Sequence, residues 1–317
     1  MRPLSNPVID NLDPEHFHFW SPPTGATVLV GAERQPLELP HMPLPLHRDD
    51  VNDGSPSDAA IGQGLYDYLR QFPDCVGNKV YARVLRDAYP HFIADLAAHA
   101  VMLDAKQVEP AYLVRKLTCL KILLLLEPCN RGLLLQLCRG YFELAMAFAA
   151  LTHCREHLRE AMRFGQDLLA IDPSETSALS LLAEIDLLIG DIPGALDKWQ
   201  RMSTQINNPE MRAHLEARLA ACTRAAEAAT TLVDDLEAVA EALRLHGLGD
   251  DRQATCVLEG IEALGHLTSA LPSADFYWLL GVCRLGCGDP GGAVVALHQA
   301  LALEPGHSAA LAALETL

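Results

Sequence analysis

Several things are scarce in this 317-residue chain, and each scarcity excludes something. Large aliphatic side chains never run far: Ile122 to Leu126, the longest stretch, covers a helical turn and a half, against the ~18 residues needed to span a bilayer. The opening, Met1 to Pro7, lacks the apolar core of an export signal, so a cytoplasmic location is expected. Positive charge is short as well, with 24 Lys and Arg against 41 Asp and Glu and a net charge of −17. Residues 1–58 carry −6, residues 59–173 carry +1 and residues 174–317 carry −12. No segment offers the cationic face that displaces counterions from a polynucleotide, which excludes nucleic acid as the expected partner.

The nine cysteines show no two-residue gap of the zinc-knuckle or redox kind, and their number is odd. Cys119, Cys138, Cys154, Cys222, Cys256 and Cys283 sit among leucines and alanines and read as small buried thiols. Cys283 and Cys287 are one turn apart, but Gly286 and Gly288 are expected to end a helix there. Catalytic signatures are missing too. There is no phosphate loop and no serine nucleophile elbow, and Gly286-Cys287-Gly288 follows a helical pattern instead of a strand. No cofactor is expected, and the weight moves from enzyme to binding module.

What the chain does have is rhythm. Ala149, Ala161 and Pro173 fall twelve residues apart, as do Gly281, Ala293 and Pro305; Ala183 and Ala195 keep the step, with Asn207 where the proline would be. Small, small, breaker describes a helical hairpin: two helices cross where side chains lack bulk, and proline stops the second. Gly190-Asp191 and Gly288-Asp289 read as a helix stop followed by an N-cap. In 176–209 the pattern is carried by Leu179, Leu182, Ala183, Gly190, Asp191, Ala195, Trp199 and Pro209; in 274–307 by Tyr277, Leu280, Gly281, Gly288, Asp289, Ala293, Leu297, Ala300 and Pro305.

These residues resemble tetratricopeptide repeats. The resemblance implies an all-α fold, a TPR-like α-α solenoid or superhelix that buries its core between neighbouring hairpins. The first set departs from the family at Asp186, Met202 and Asn207, the second at Arg284. Ala149 and Ala183 are one 34-residue family period apart, so 142–175 and 176–209 are expected to abut, with two shorter degenerate pairs between there and 274. Three regions follow: a proline-rich extended or partly disordered arm over 1–57, a helical section of degenerate repeats over 58–141, and the repeat array over 142–317.

Ten prolines in the first 57 residues and no helical period mark the arm, within which Thr27–Val30 and Leu37–Leu39 are expected to make one short hairpin. His16-Phe17-His18-Phe19-Trp20 concentrates aromatics in this polar stretch and is expected to dock, on the chain's own helices or on another subunit. After Ser57, an expected N-cap, Ile61, Leu65, Tyr68, Leu69 and Phe72 line one helical face, and Pro90 kinks a second helix or opens a third.

The strongest hint of chemistry is His153-Cys154-Arg155-Glu156-His157, the His-x-x-Glu-His order of inverted zinc peptidases, in which two imidazoles hold zinc and the glutamate activates water. In the repeat register these residues fall on the turn between paired helices, so a zinc hydrolase is an alternative and no other metal site is expected. The family lines a groove with first-helix side chains, here Ser177, Ser180, Glu184 and Leu187, then Asp275, Trp278, Val282 and Leu285. The lysines and arginines that clamp a carboxylate are absent. The resemblance thus implies a protein–protein interaction module, an adaptor, scaffold or assembly chaperone, whose acidic groove takes a partner with a basic or apolar surface. A structural subunit, linked into a homo-oligomer or larger assembly by its aromatic arm, is a further alternative.

Overall fold

Three times the chain reverses direction with the same two residues. Gly190, Gly249 and Gly288 take left-handed backbone with φ of 85°, 82° and 78°, and each precedes an aspartate. The aspartate N–H donates back to the carbonyl five residues earlier, Asp191 to Asp186 at 2.8 Å, Asp250 to Leu245 at 3.0 Å and Asp289 to Arg284 at 2.9 Å. Its carboxylate then caps the next helix, accepting from Gly194, Gln253 and Gly292 at 3.1, 3.2 and 2.9 Å. Each turn therefore satisfies orphan carbonyls on one side and orphan amides on the other. The computed structural model describes residues 16–31, 33–50, 55–104, 110–203, 213, 215–216 and 231–317, which hold fourteen α-helices.

The chain divides between Gly140 and Tyr141 into two units. In the second, the three turns close three tetratricopeptide-like hairpins: α7 (Thr176–Ile189) with α8 (Ile192–Ser203), α9 (Leu232–Gly247) with α10 (Asp251–Leu264), and α12 (Ala274–Gly286) with α13 (Pro290–Leu303). The short α11 (His266–Ala270) joins the second to the third, and α14 (Ser308–Glu315) packs on the last. First helices touch in series, α7 on α9 and α9 on α12. Small residues hold the crossings close. Ala183, Ala195 and Ala293 are fully buried, and a Cβ on Gly281 would lie 2.8 Å from Leu297 and 3.4 Å from the Ala293 carbonyl. The core between the helices runs through Leu179, Leu182, Trp199, Val239, Leu258, Leu279 and Cys283, all nearly inaccessible.

The unit expected at 142–175 is not a hairpin. Only the end of helix α5 (Arg131–Met146) falls in this stretch, a 3₁₀ turn spans Phe148–His153, and α6 (Cys154–Ile171) follows it directly. Ala149 is exposed in that 3₁₀ turn, which packs on α9, while Ala161 on α6 is fully buried. Between 203 and 231 only residues 213, 215 and 216 are described, so Asn207 and Pro209 lie outside the described residues, as does much of the stretch where two degenerate pairs were expected; the described part of that stretch holds the α9–α10 hairpin.

The first unit begins with strands. β2 (Thr27–Val30) pairs antiparallel with β3 (Gln35–Glu38), the expected hairpin, while β1 (Phe17–Trp20) pairs with β4 (Leu44–His47), which the proline count concealed. Both ribbons have two strands, so Pro36 and Pro45 sit on edges where a missing N–H costs little. β4 lies on α1 (Asp58–Gln71), burying Leu44 and Leu46; a Cβ on Gly64 would come within 2.3 Å of the Pro45 carbonyl. Ser57 caps α1 through Ala60 N–H, α2 (Asn78–Ala88) follows, and Pro90 opens α3 (Pro90–Asp104), which pairs with α4 (Pro110–Leu126). Among the described residues no single helix is long and apolar enough to cross a membrane.

Candidate functional site

The aromatic segment at 16–20 folds onto its own unit. Phe17 is buried, edge-on to Tyr68 with centroids 5.1 Å apart and 5.0 Å from the His47 ring, while His16, His18 and Phe19 are exposed and Trp20 is half-buried. Phe19 also lies nearly perpendicular to Tyr68, with centroids 5.4 Å apart. Polar contacts pin the strands behind it: His47 Nε2 lies 3.0 Å from Asp67, Tyr81 hydroxyl donates to the Pro43 carbonyl at 2.7 Å, and Leu29 N–H donates to Asp58 at 3.2 Å. In the same unit a cleft of about 170 Å³ is lined by Arg70, His99, Met102, Arg115 and Thr118, smaller than the few hundred Å³ a drug-sized ligand fills.

Among the described residues the His153–His157 motif gathers no third ligating side chain. His153 ends the 3₁₀ turn and its Nδ1 lies 3.2 Å from Glu156, while His157, one turn into α6, faces Tyr141 with rings 6.2 Å apart. The chain does not reverse here, because no glycine follows and Glu156 continues the helix. Burial, aided by the neighbouring His153, holds the His157 imidazole below its usual pKa. Neither histidine belongs to a trio of ligating side chains among the described residues. Arg155, between them, instead bridges to α9, reaching Glu237 and Asp234 at 2.5 Å each.

The expected groove residues divide. On α7, Ser177, Ser180 and Glu184 keep partial exposure, but Leu187 is 5% exposed and belongs to the core. On α12, Asp275, Trp278, Val282 and Leu285 are partly exposed. Trp278 packs edge-on against Phe148, centroids 6.2 Å apart, and lies 6.3 Å from the His307 ring. His307 in turn caps α14, accepting from Ala310 N–H at 3.1 Å through Nδ1 and meeting Asp275 through Nε2 at 3.0 Å. Trp278 is thus half core and half surface.

No protein-family model and no curated protein matches the chain. The chain is similar to solved helical-repeat structures. Two are crystal structures of MamA, one at 15% identity over 67% of this chain and 92% of that one with a TM-score of 0.28, the other at 16% over 63% and 96% with 0.24. A third is a thermophilic TPR protein from Thermus thermophilus, at 16% identity over 70% of this chain and 98% of that one, TM-score 0.27. At that level of superposition the TPR-like assignment rests on this chain's own turns and crossings.

Sequence reasoning missed one constellation. Among the described residues a single group of three potential metal ligands converges: His246, Asp251 and Cys283, whose ligating atoms lie within 4.8 Å of one another. His246 ends α9, Asp251 opens α10 and Cys283 is in the last turns of α12. His246 Nδ1 is 2.5 Å from Asp251 Oδ1, and a Cβ on Gly286 would lie 1.8 Å from Asp251 Oδ2. Burial, with Asp251 beside it, pushes the Cys283 thiol up to about 12, too weakly ionised for a nucleophile. The signal was available: His246 and Asp251 flank the Gly249-Asp250 turn, the same dipeptide seen at 190 and 288. Among the other cysteines, Cys119, Cys138 and Cys154 are buried as expected, Cys256 is exposed instead, and Cys222 lies outside the described residues.

Proposed function

We propose that the chain is a non-enzymatic, cytosolic interaction module, an adaptor, scaffold or assembly chaperone that holds one protein partner against the first helices of its hairpins. One observation carries this reading: Ser177, Ser180, Glu184, Asp275 and Trp278 all keep partial exposure on helices whose opposite faces are buried. Polar side chains with one half-covered tryptophan suit a surface that binds through an aromatic anchor within a polar rim. The −12 charge of residues 174–317 favours a partner with a basic contact surface, apolar where it meets Trp278. The same charge disfavours a polynucleotide partner.

Affinity capture from cell extract with the full chain, quantified by mass spectrometry, tests it. One abundant basic protein is expected, retained by the unaltered chain and lost on combining Trp278→Ala with Glu184→Lys, with the helical circular-dichroism signal unchanged. Equal retention by the variant overturns the groove reading, and self-association as the sole association replaces it with the structural-subunit reading.

A further inference from the structure

We propose that His246, Asp251, Cys283 and Cys287 form a binding site for a divalent ion of the zinc class, at the point where the second hairpin meets α12. Three ligand atoms from three separate helix ends already lie within 4.8 Å of one another. Tetrahedral zinc holds neighbouring ligand atoms about 3.4–3.8 Å apart, given its bond lengths to nitrogen, oxygen and sulfur, so side-chain rotations suffice to close the shell. The His246–Asp251 contact opens slightly as the ion enters between them.

The donor set selects the ion. One imidazole nitrogen, one carboxylate oxygen and thiolate sulfur suit borderline-soft zinc, and an all-oxygen ion such as magnesium or calcium has no use for sulfur. Cys287 supplies the fourth donor. It continues right-handed helical backbone at the end of α12 with its N–H bonded to the Cys283 carbonyl at 3.0 Å, so the two thiols stay on one helical face despite the flanking glycines. Its sulfur lies 3.5 Å from the Thr255 hydroxyl on α10, on the side of the second hairpin.

Two further features fit a site instead of a chance cluster. Gly286 leaves room for the Asp251 carboxylate, since any side chain there would collide with Oδ2. Access is graded: the His246 and Asp251 side chains are 28% and 21% exposed and Cys287 is exposed, while Cys283 is fully buried beneath them. An ion would enter from solvent and settle onto a buried sulfur, tying α9, α10 and α12 together.

The full chain, purified in a non-chelating reductant and stripped of metal, is titrated with cobalt(II) and then with zinc(II). One cobalt per chain is expected, with a near-ultraviolet thiolate-to-cobalt charge-transfer band that zinc abolishes. Cys287→Ser should remove about half of the band, in proportion to the thiolates lost, and His246→Ala should weaken zinc by on the order of 10- to 100-fold or more. Both substitutions are at partly exposed positions, so they report even if Cys283→Ser fails to fold. His153→Ala and Cys256→Ser should leave binding unchanged. Absence of a stoichiometric thiolate band in the unaltered chain overturns the proposal, as does a band that survives His246→Ala with Cys287→Ser or disappears with His153→Ala.

Discussion

Asp186 and Arg284 hold the same place in their hairpins, four residues before the left-handed glycine, and carry opposite charges. Each backbone carbonyl accepts the N–H of the turn aspartate, while each side chain leaves the turn for a different ion pair. Asp186 pairs with Lys198 on α8, inside its own hairpin. Arg284 reaches back to Glu259 at 3.0 Å and Glu262 at 3.1 Å on α10, joining neighbouring hairpins. The two departures from the repeat pattern thus do different work, one fastening within a hairpin and the other between two.

Lys198→Ala is expected to destabilise the fold by on the order of 3 kcal/mol near neutral pH, because the Asp186 side chain is 6% exposed and loses its counter-charge. Burial holds the Asp186 carboxyl above its usual value, with Lys198 opposing that shift. The native state therefore binds a proton more readily than the unfolded chain, so this group favours folding at low pH and that contribution is lost as pH rises through the folded value. Removing Lys198 enlarges the effect. Urea midpoints should fall on raising the pH from acid to neutral by more in Lys198→Ala than in the unaltered chain, and Asp186→Leu with Lys198→Met should recover most of the loss.

His157 gives the opposite sign. Its folded value lies below the ordinary one, so the native state resists protonation, and stability is full above roughly pH 6.5 and lost as pH falls through the folded value. His157→Gln should flatten this acid limb in thermal melts followed from about pH 7 to about pH 5. An unchanged slope would show that the buried imidazole is not its source.

Gly281→Val should cost about 1–3 kcal/mol, since its Cβ would stand 2.8 Å from Leu297 across the α12–α13 crossing. Shortening the neighbour should relieve the clash. In a double-mutant cycle, Gly281→Val with Leu297→Ala is expected to be less destabilised than the sum of the single changes, and strict additivity would place the crossing elsewhere.

Docking of the N-terminal strands is tested at Gly64 and Phe17. Gly64→Val drives a side chain into the Pro45 carbonyl, and Phe17→Ala removes a buried ring worth about 3–5 kcal/mol. Both should expose residues 16–47 to limited proteolysis while the three hairpins of 176–303 stay resistant. Equal protection in all three chains would mean that the strands hold by other contacts.

Much of this was legible in the letters, and the exceptions have physical causes. Gly190-Asp191 and Gly288-Asp289 announced their turns because a left-handed residue followed by a capping carboxylate leaves few other choices. Gly249-Asp250 carries the same information, and Ala242 and Ala254 flank it at the same twelve-residue spacing, both fully buried; only the closing proline is missing, with His266 in its place, and without that breaker the middle hairpin was passed over. Ala149 misled for the converse reason: spacing alone cannot distinguish a crossing from a 3₁₀ turn that happens to contain a small residue. At the candidate metal site, the Gly249-Asp250 turn already places His246 and Asp251 near each other, but nothing in the letters links them to Cys283 on α12, which only the fold brings alongside. Prolines at 36 and 45 argued against strands, yet a two-stranded ribbon has an edge for each.

The edge-on contact between Phe148 and Trp278 joins residues on either side of everything from α6 to α11. Closing so long a loop costs more than forming any local contact, so the two rings are expected to meet late in folding. During synthesis, α12 must leave the ribosome before the two rings can meet. The part of the emission that comes from Trp278, apart from Trp20 and Trp199, is therefore expected to change last, after the amide signal of the individual helices.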